Sequence, residues 1–344
     1  MTLSRYDTSV RPADRLMAEA VALIDAGRRR GVQLRLTGGL AVRRYCSDLD
    51  FMDRQFSDID LIGVSRQSRE LHRLFGERGY DENRYVSQST GGAQLQFVTR
   101  GRLLESRAHF QKRPRPVARI EAAPLVDHID VFLDLMSMDH DVDVRGRLDI
   151  DEYAIAPVDV LITKLQIGHI AAKDVHDVIA LLKDLELSER SDDRAIDLPH
   201  LARVCARDWG LCNDLRGNLD VVRARLDGEV LSDEDRACVE GRLRAIGEAI
   251  AREPKSLRWR LRARVGTRLP WRREVEEREG SPVIATVTVV GPGAAWLSCA
   301  DCGHAADVPA ELLARGAAPL ACPRCGGLAW APLGLEQDEE QPAA

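Results

Sequence analysis

The alternation of apolar and polar residues divides the chain into elements of two periods. Pro12 to Arg30 carries Leu16, Ala20, Leu23 and Ile24 on one helical face and runs out at Gly31, which predicts an amphipathic helix with a glycine stop. Leu34 and Leu36 alternate with polar neighbours as a short strand does. After Gly38 and Gly39 a helix is expected through Leu40, Val42 and Tyr45. Leu61, Ile62 and Val64 predict a strand, and Ser65 to Arg78 a helix with Leu71, Leu74 and Phe75 inward. Val86 to Thr90 and Leu95 to Val98 read as short strands separated by Gly91 and Gly92, and Val126 to Leu133 as another strand. In the acidic stretch Met136 to Asp149, Val142 and Val144 suggest an edge strand with a solvated face, in preference to a second metal site. Val158 to Leu187 is helical with a break near Gly168, and Leu198 to Cys205, Leu219 to Leu226 and Asp233 to Glu253 predict three more helices.

Polar residues that interrupt these patterns carry the candidate chemistry. Asp58 and Asp60 flank Ile59 at the start of a strand, so both carboxylates point to one face. Like charges side by side repel and cost energy when partly buried. A divalent cation removes that objection, and hard carboxylate oxygens suit Mg²⁺. Asp130 sits between Ile129 and Val131 and is favoured as a third carboxylate over its neighbours Asp127, His128 and Asp134; the two aspartates lie at the ends of their run, and His128 reads as a residue that supports the site or the fold. The Gly38-Gly39 pair lets backbone N–H groups approach an anion at a helix N-terminus. Arg43 and Arg44 are either phosphate contacts or ordinary surface arginines. Lys164 lies inside an apolar helical pattern, where it needs a snorkelling route or an anionic partner. Lys173 and Asp177 are four apart and suit a surface pair, with Asp174 facing nearly the same way.

These motifs together resemble the nucleotidyltransferase fold shared by DNA polymerase beta, nucleotide-adding enzymes and the AbiEii-type toxins. The resemblance rests on T-G-G at Thr37 to Gly39, F-S-D-I-D-L at Phe56 to Leu61 and I-D-V-F at Ile129 to Phe132. It continues into P-V-D-V-L-I-T-K-L-Q at Pro157 to Gln166 and K-D-V-H-D-V-I-A-L-L at Lys173 to Leu182, covering roughly Val32 to Leu185. It implies that Thr37, Gly38 and Gly39 hold nucleotide phosphates and that Asp58, Asp60 and Asp130 hold two Mg²⁺ ions. Lys164, Asp174 and Asp177 would help form the nucleotide pocket. The spacing from glycine to aspartate is longer than in the most compact members, as the toxin-like branch tolerates. The implied activity is transfer of a nucleoside monophosphate from an NTP to a hydroxyl, with pyrophosphate released. RNA or protein is the favoured acceptor. A toxin paired with an antitoxin would use the same chemistry, and a catalytically silent nucleotide-binding module that docks RNA or a protein is the alternative of another class.

Beyond Glu189 to Asp193 the chain is helical, with Cys205, Cys212 and Cys238 read as buried thiols. Pro254 to Arg273 then holds eight basic residues and no acidic one. Arg260, Arg262 and Arg264 with Trp259 and Trp271 suit either a nucleic-acid surface or arginines lying over a short helix. After the strand predicted at Val283 to Val290, Cys299 and Cys302 form one C-x-x-C and, after nineteen intervening residues, Cys322 and Cys325 another. Four thiolates at this spacing predict a structural zinc ribbon with no open coordination position. The ribbon would read nucleic acid, recruit a protein or cap the fold.

The expected class is therefore α+β: a nucleotidyltransferase-like catalytic domain of a mixed sheet flanked by helices over 1–188, then a helical region with the basic segment over 189–280. The ribbon follows over 281–332 and an acidic, disordered tail over 333–344. Composition narrows the setting. At 44% hydrophobic residues over 344 positions, two or three cored domains are expected. No apolar run is long enough to span a membrane and no export signal is visible. Eight cysteines in so long a chain are not a disulfide scaffold, which fits a reducing cytoplasm. A net charge of −6 argues against wholesale nucleic-acid binding. The preference for Arg and Ala over Lys hints at a GC-rich bacterial genome.

Overall fold

Five strands form one mixed sheet in the order β1-β2-β5-β4-β3: β1 (Leu34–Leu36), β2 (Ile59–Gly63), β3 (Tyr80–Glu82), β4 (Gln94–Thr99) and β5 (Ile129–Leu133). Only β2 and β5 run parallel; the other neighbours are antiparallel. The computed structural model describes residues 12–46, 56, 58–99, 126, 128–273, 294–299, 305–309 and 330–332.

Helices flank the sheet. They are α1 (Pro12–Arg28), α2 (Gly38–Tyr45), α3 (Ser68–Glu77) and α4 (Arg84–Ser89), followed after β5 by α5 (Pro157–Leu165) and α6 (Ala172–Asp184). Their apolar faces meet the sheet in a continuous core that includes Leu23, Leu36, Leu61, Phe75, Val131 and Leu161. All nine residues of α5 are buried, so that helix lies inside the unit. Asn218 donates to the carbonyls of Leu165 (2.9 Å) and Ile167 (2.6 Å), which ends α5 and accounts for the break expected near Gly168. The later helices, α7 (Leu198–Arg207), α8 (Trp209–Arg225) and α9 (Asp233–Arg252), put Leu201, Leu215, Leu243 and Ile246 into the same core. A last short helix, α10 (Leu257–Val265), buries none of its residues. Among the described residues no helix is long and apolar enough to cross a membrane.

One element differs in kind from its pattern. Val86 to Thr90 lies largely in α4, not in a strand. Gly91 and Gly92, at φ +62° and +80°, close that helix through bonds from their amides to Gln88 O and Ser87 O, a helix-terminating use of glycine. The Val142 region behaves as expected. Two short strands, β6 (Leu135–Ser137) and β7 (Asp141–Asp143), pair antiparallel with Val142 buried between the exposed Asp141 and Asp143.

The chain divides into two units, one of 1–99 with 125–275 and a second of 100–124 with 276–344. In the second, β8 (Ala294–Cys299) pairs antiparallel with β9 (Ala305–Pro309) and with β10 (Trp330–Pro332), Cys299 lying opposite Trp330. Of the ribbon cysteines, Cys302, Cys322 and Cys325 lie outside the described residues, as do the strand expected at Val283 to Val290 and the acidic tail.

Candidate functional site at the N-terminal ends of the central strands

The parallel register of β2 and β5 sets Asp60 opposite Asp130, with Ile59 opposite Ile129. Two residues earlier on each strand stand Asp58 and His128. The block thus contains two residues from each strand, because i and i+2 share a face. His128 Nε2 is 3.3 Å from Asp130 Oδ2 and 3.9 Å from Asp58 Oδ2. Burial works against the imidazolium, but its hydrogen bond with Asp130 and the charges of Asp130, Asp58 and Asp60 outweigh that and raise its pKa to about 9. Asp60 moves in the opposite sense. Burial, then the nearby charges of Asp58 and Asp130, push its carboxyl up to about 7, with Lys164 and His128 opposing. The competing aspartate Asp134 has a separate job. It adopts φ +67° and accepts from the Ser65 amide at 3.1 Å, a turn role at the far end of β5. Asp127 lies outside the described residues.

The glycine turn lies directly against this row. Thr37 donates its amide to Asp60 O at 3.0 Å, and Gly38 follows at φ +61°, where a side chain is strained. A Cβ added at Gly38 would fall 2.0 Å from Asp60 Oδ2 and 3.0 Å from Asp60 Cβ. Glycine is required there on two counts: backbone conformation and the space that Asp60 occupies. Gly38 and Gly39 open α2, and Thr37 Oγ1 at its N-cap is buried with no hydrogen-bond partner among the described residues. A narrow cavity of about 80 Å³ opens between the turn and the carboxylates, lined by Gly39, Leu40, Phe56, Asp58, Asp60, Lys164 and Lys173. That volume takes a hydrated cation or a phosphate group, not a whole nucleotide. A larger, open depression of about 440 Å³ lies elsewhere, between Arg69, His72, Glu82, Arg84 and Gln88, and none of the carboxylates lines it.

Lys164 reaches the cavity from α5 with its ammonium held by two aspartates of α6, at 2.8 Å from Asp174 Oδ1 and 2.8 Å from Asp177 Oδ2. Burial disfavours the cation, yet Asp177 and Asp174 more than compensate and its pKa is raised. Asp177 is fully buried, so the surface pair expected with Lys173 gives way to a buried triad around Lys164. Arg43 and Arg44 are likewise committed elsewhere. Arg43 bonds Asp14 at 2.5 Å; Arg44 holds Asp151 through two bonds of 3.2 and 3.0 Å.

The basic segment also turns partly inward. Trp259 donates to Cys205 O (3.0 Å) and Trp271 to Asp214 Oδ1 (2.8 Å). Arg262 lies over Trp209 and bonds Gly266 O, and Arg272 pairs with Asp214. The two tryptophans proposed for base stacking therefore spend their N–H groups on the fold.

The donor set suits a hard divalent cation: three carboxylates, one raised in pKa by burial and by its neighbours, beside a cradle that a Cβ would fill. Among the described residues, however, no three acidic, histidine or cysteine side chains already converge on one metal-sized point. Asp130 is engaged on Oδ1 by Gln96 (3.0 Å) and on Oδ2 by His128 (3.3 Å). Sequence reasoning placed His128 near the site without a defined contact. It passed over Gln96, whose only signal was a polar residue inside the apolar run Leu95 to Val98. No protein-family model matches the chain, and no curated protein matches it.

Proposed function

We propose that the chain is a Mg²⁺-dependent nucleotidyltransferase that joins a nucleoside monophosphate from an NTP to a hydroxyl of RNA or protein. One observation carries this reading. Asp60 and Asp130 stand in register on adjacent parallel strands, with Asp58 beside them and the Gly38 turn packed onto Asp60. A structural role alone would not favour a row of mutually repelling carboxylates at the mouth of a cavity.

Asp58, Asp60 and Asp130 would hold the cation, whose chemistry when bound is to ease ionisation of the attacking hydroxyl and neutralise charge on the departing pyrophosphate. The N–H groups of Gly38 and Gly39 and the Thr37 hydroxyl would receive the phosphates at the start of α2. In the reaction the acceptor oxygen forms a bond to the α-phosphorus and the bond to the bridging oxygen breaks. The hydroxyl proton would pass to Asp130. Lys164, fixed by Asp174 and Asp177, would supply a stationary positive charge at the cavity wall. The nucleotidyltransferase core and the zinc ribbon of Cys299, Cys302, Cys322 and Cys325 belong to the same reading. In the ribbon Zn²⁺ would serve the fold alone.

The test is incubation of the full chain with each α-³²P-NTP, Mg²⁺ and total cellular RNA and protein, beside an Asp58→Ala/Asp60→Ala control. Label entering one class of acceptor, and lost in the control, is the expected result. Magnesium-dependent nucleotide binding without any transfer would favour the silent binding module.

A further inference from the structure

The row that begins with Asp60 and Asp130 extends one strand further. On antiparallel β4, Gln96 is the register partner of Asp130, so Asp60, Asp130 and Gln96 lie side by side across β2, β5 and β4. Gln96 is 5% exposed, and burying both ends of an amide requires partners for both. Its Nε2 donates to Asp130 Oδ1 at 3.0 Å, and its Oε1 accepts from Asn83 Nδ2 at 2.7 Å. Asn83, just past the end of β3, is itself fixed by its backbone N–H to Gln96 O at 2.8 Å.

The direction of this chain follows from its terminus. An ionised carboxylate only accepts, so Gln96 must present its NH₂ to Asp130. That leaves its carbonyl for Asn83, which must then donate. The amide gives Asp130 a hydrogen bond without a positive charge. A lysine or arginine at position 96 would satisfy Asp130 equally well but would compete with a cation for it. By occupying Oδ1, Gln96 fixes the plane of the carboxylate and leaves Oδ2 facing His128.

We infer that Gln96, locked by Asn83, is a positioning residue that orients Asp130 for cation binding. The inference rests on the reading of Asp58, Asp60 and Asp130 as a cation site, and extends it to residues outside the motifs that carry the resemblance. Groups that orient a metal's ligands typically affect affinity by about 10- to 100-fold.

The experiment is a Mn²⁺ titration of the full chain, following free Mn²⁺ by electron paramagnetic resonance. It compares wild type, Gln96→Leu, Asn83→Ala, Asp130→Asn and the pairs Gln96→Leu/Asp130→Asn and Asn83→Ala/Asp130→Asn, each checked for folding by circular dichroism and thermal melting. Gln96→Leu is expected to weaken Mn²⁺ about tenfold and Asn83→Ala a few-fold, without either change adding to the loss in Asp130→Asn. That non-additivity separates orientation of Asp130 from a general loosening of β4, which would add. Should Gln96→Leu unfold the chain, Asn83→Ala, which leaves the glutamine in place, carries the test in the same Asp130→Asn background. Wild-type binding with no loss in either variant, or losses that add to Asp130→Asn, overturns the role of Gln96 while leaving the cation site standing. No Mn²⁺ binding by folded wild type overturns the cation site and this inference together.

Discussion

Replacing Asp60 by asparagine should make the cation-free protein more stable, although it removes a residue of the candidate centre. The Asp60 carboxyl is raised from 3.8 to about 7 by burial and by Asp58 and Asp130, and each pKa unit corresponds to about 1.4 kcal/mol between protonation states. A raised carboxyl pKa means that the folded state binds its proton more tightly than the unfolded chain. Its favourable contribution is complete below pH 3.8 and is lost as pH rises toward and past 7. Above that, an ionised Asp60 sets the fold back by at most about 4 kcal/mol. Relaxation of the exposed side of the site should halve this to about 2 kcal/mol. Asparagine keeps the shape against Gly38 and carries no charge. In EDTA at about pH 8, urea unfolding followed by the helical circular-dichroism signal should show Asp60→Asn gaining on the order of 2 kcal/mol. The gain should shrink toward zero near pH 4, and Mg²⁺ should stabilise wild type but not the variant. An Asp60→Asn protein less stable than wild type at pH 8, or a difference independent of pH, would refute the reasoning.

Other expectations concern the surrounding groups. Gly38→Ala should cost about 1–2 kcal/mol from the positive φ alone and weaken Mn²⁺ binding by displacing Asp60; an unchanged melting temperature would argue that the turn can relax. Asp151 is opposed by burial, but Arg44 and the amides of Tyr153 and Ala154 hold its pKa below the ordinary value. Its stabilisation is present above the unfolded value and is lost as pH falls through the lower folded one. Asp151→Asn should therefore cost about 2 kcal/mol at neutral pH and little in strong acid, as pH-resolved melts would show. Lys164→Met strands two buried carboxylates and should cost about 3–5 kcal/mol, whereas Lys164→Met/Asp174→Asn/Asp177→Asn should recover the fold but not nucleotide binding. Full nucleotide affinity in that triple variant, read by equilibrium dialysis, would make the lysine purely structural. For the cysteine pairs, elemental analysis should find one zinc per chain, released by a strong chelator and absent from Cys322→Ser.

Much of the sheet could be read from residue order because period-two burial is local. Asp58 and Asp60 share a face for a reason internal to one strand, and the isolation of Asp130 within an apolar run is equally local. What no short-range pattern encodes is that residues seventy positions apart would pair in parallel with Asp60 opposite Asp130. The strand register reveals Gln96 as a member of the row, and the fold gives His128 its contact with Asp130. Lys164 was visible as a misfit in a buried helix, but its partners depend on how α5 meets α6, so Asp177 was taken for a surface residue. The reading of Val86 to Thr90 as a strand failed because two β-branched residues outweighed the glycine pair behind them, and those glycines terminate a helix. Arg43, Arg44, Trp259 and Trp271 all offered chemistry that the fold uses for its own hydrogen bonds. A sequence shows what a side chain is able to bind, while only packing shows what it has already bound.

The most direct measurement is anomalous diffraction from crystals grown with Mn²⁺ and a non-hydrolysable NTP analogue. The account predicts a manganese peak ligated by Asp58 and Asp60, with Asp130 adjoining and the analogue's phosphates over Gly38 and Gly39. Manganese and nucleotide bound away from these residues, or no manganese in their presence, would contradict it.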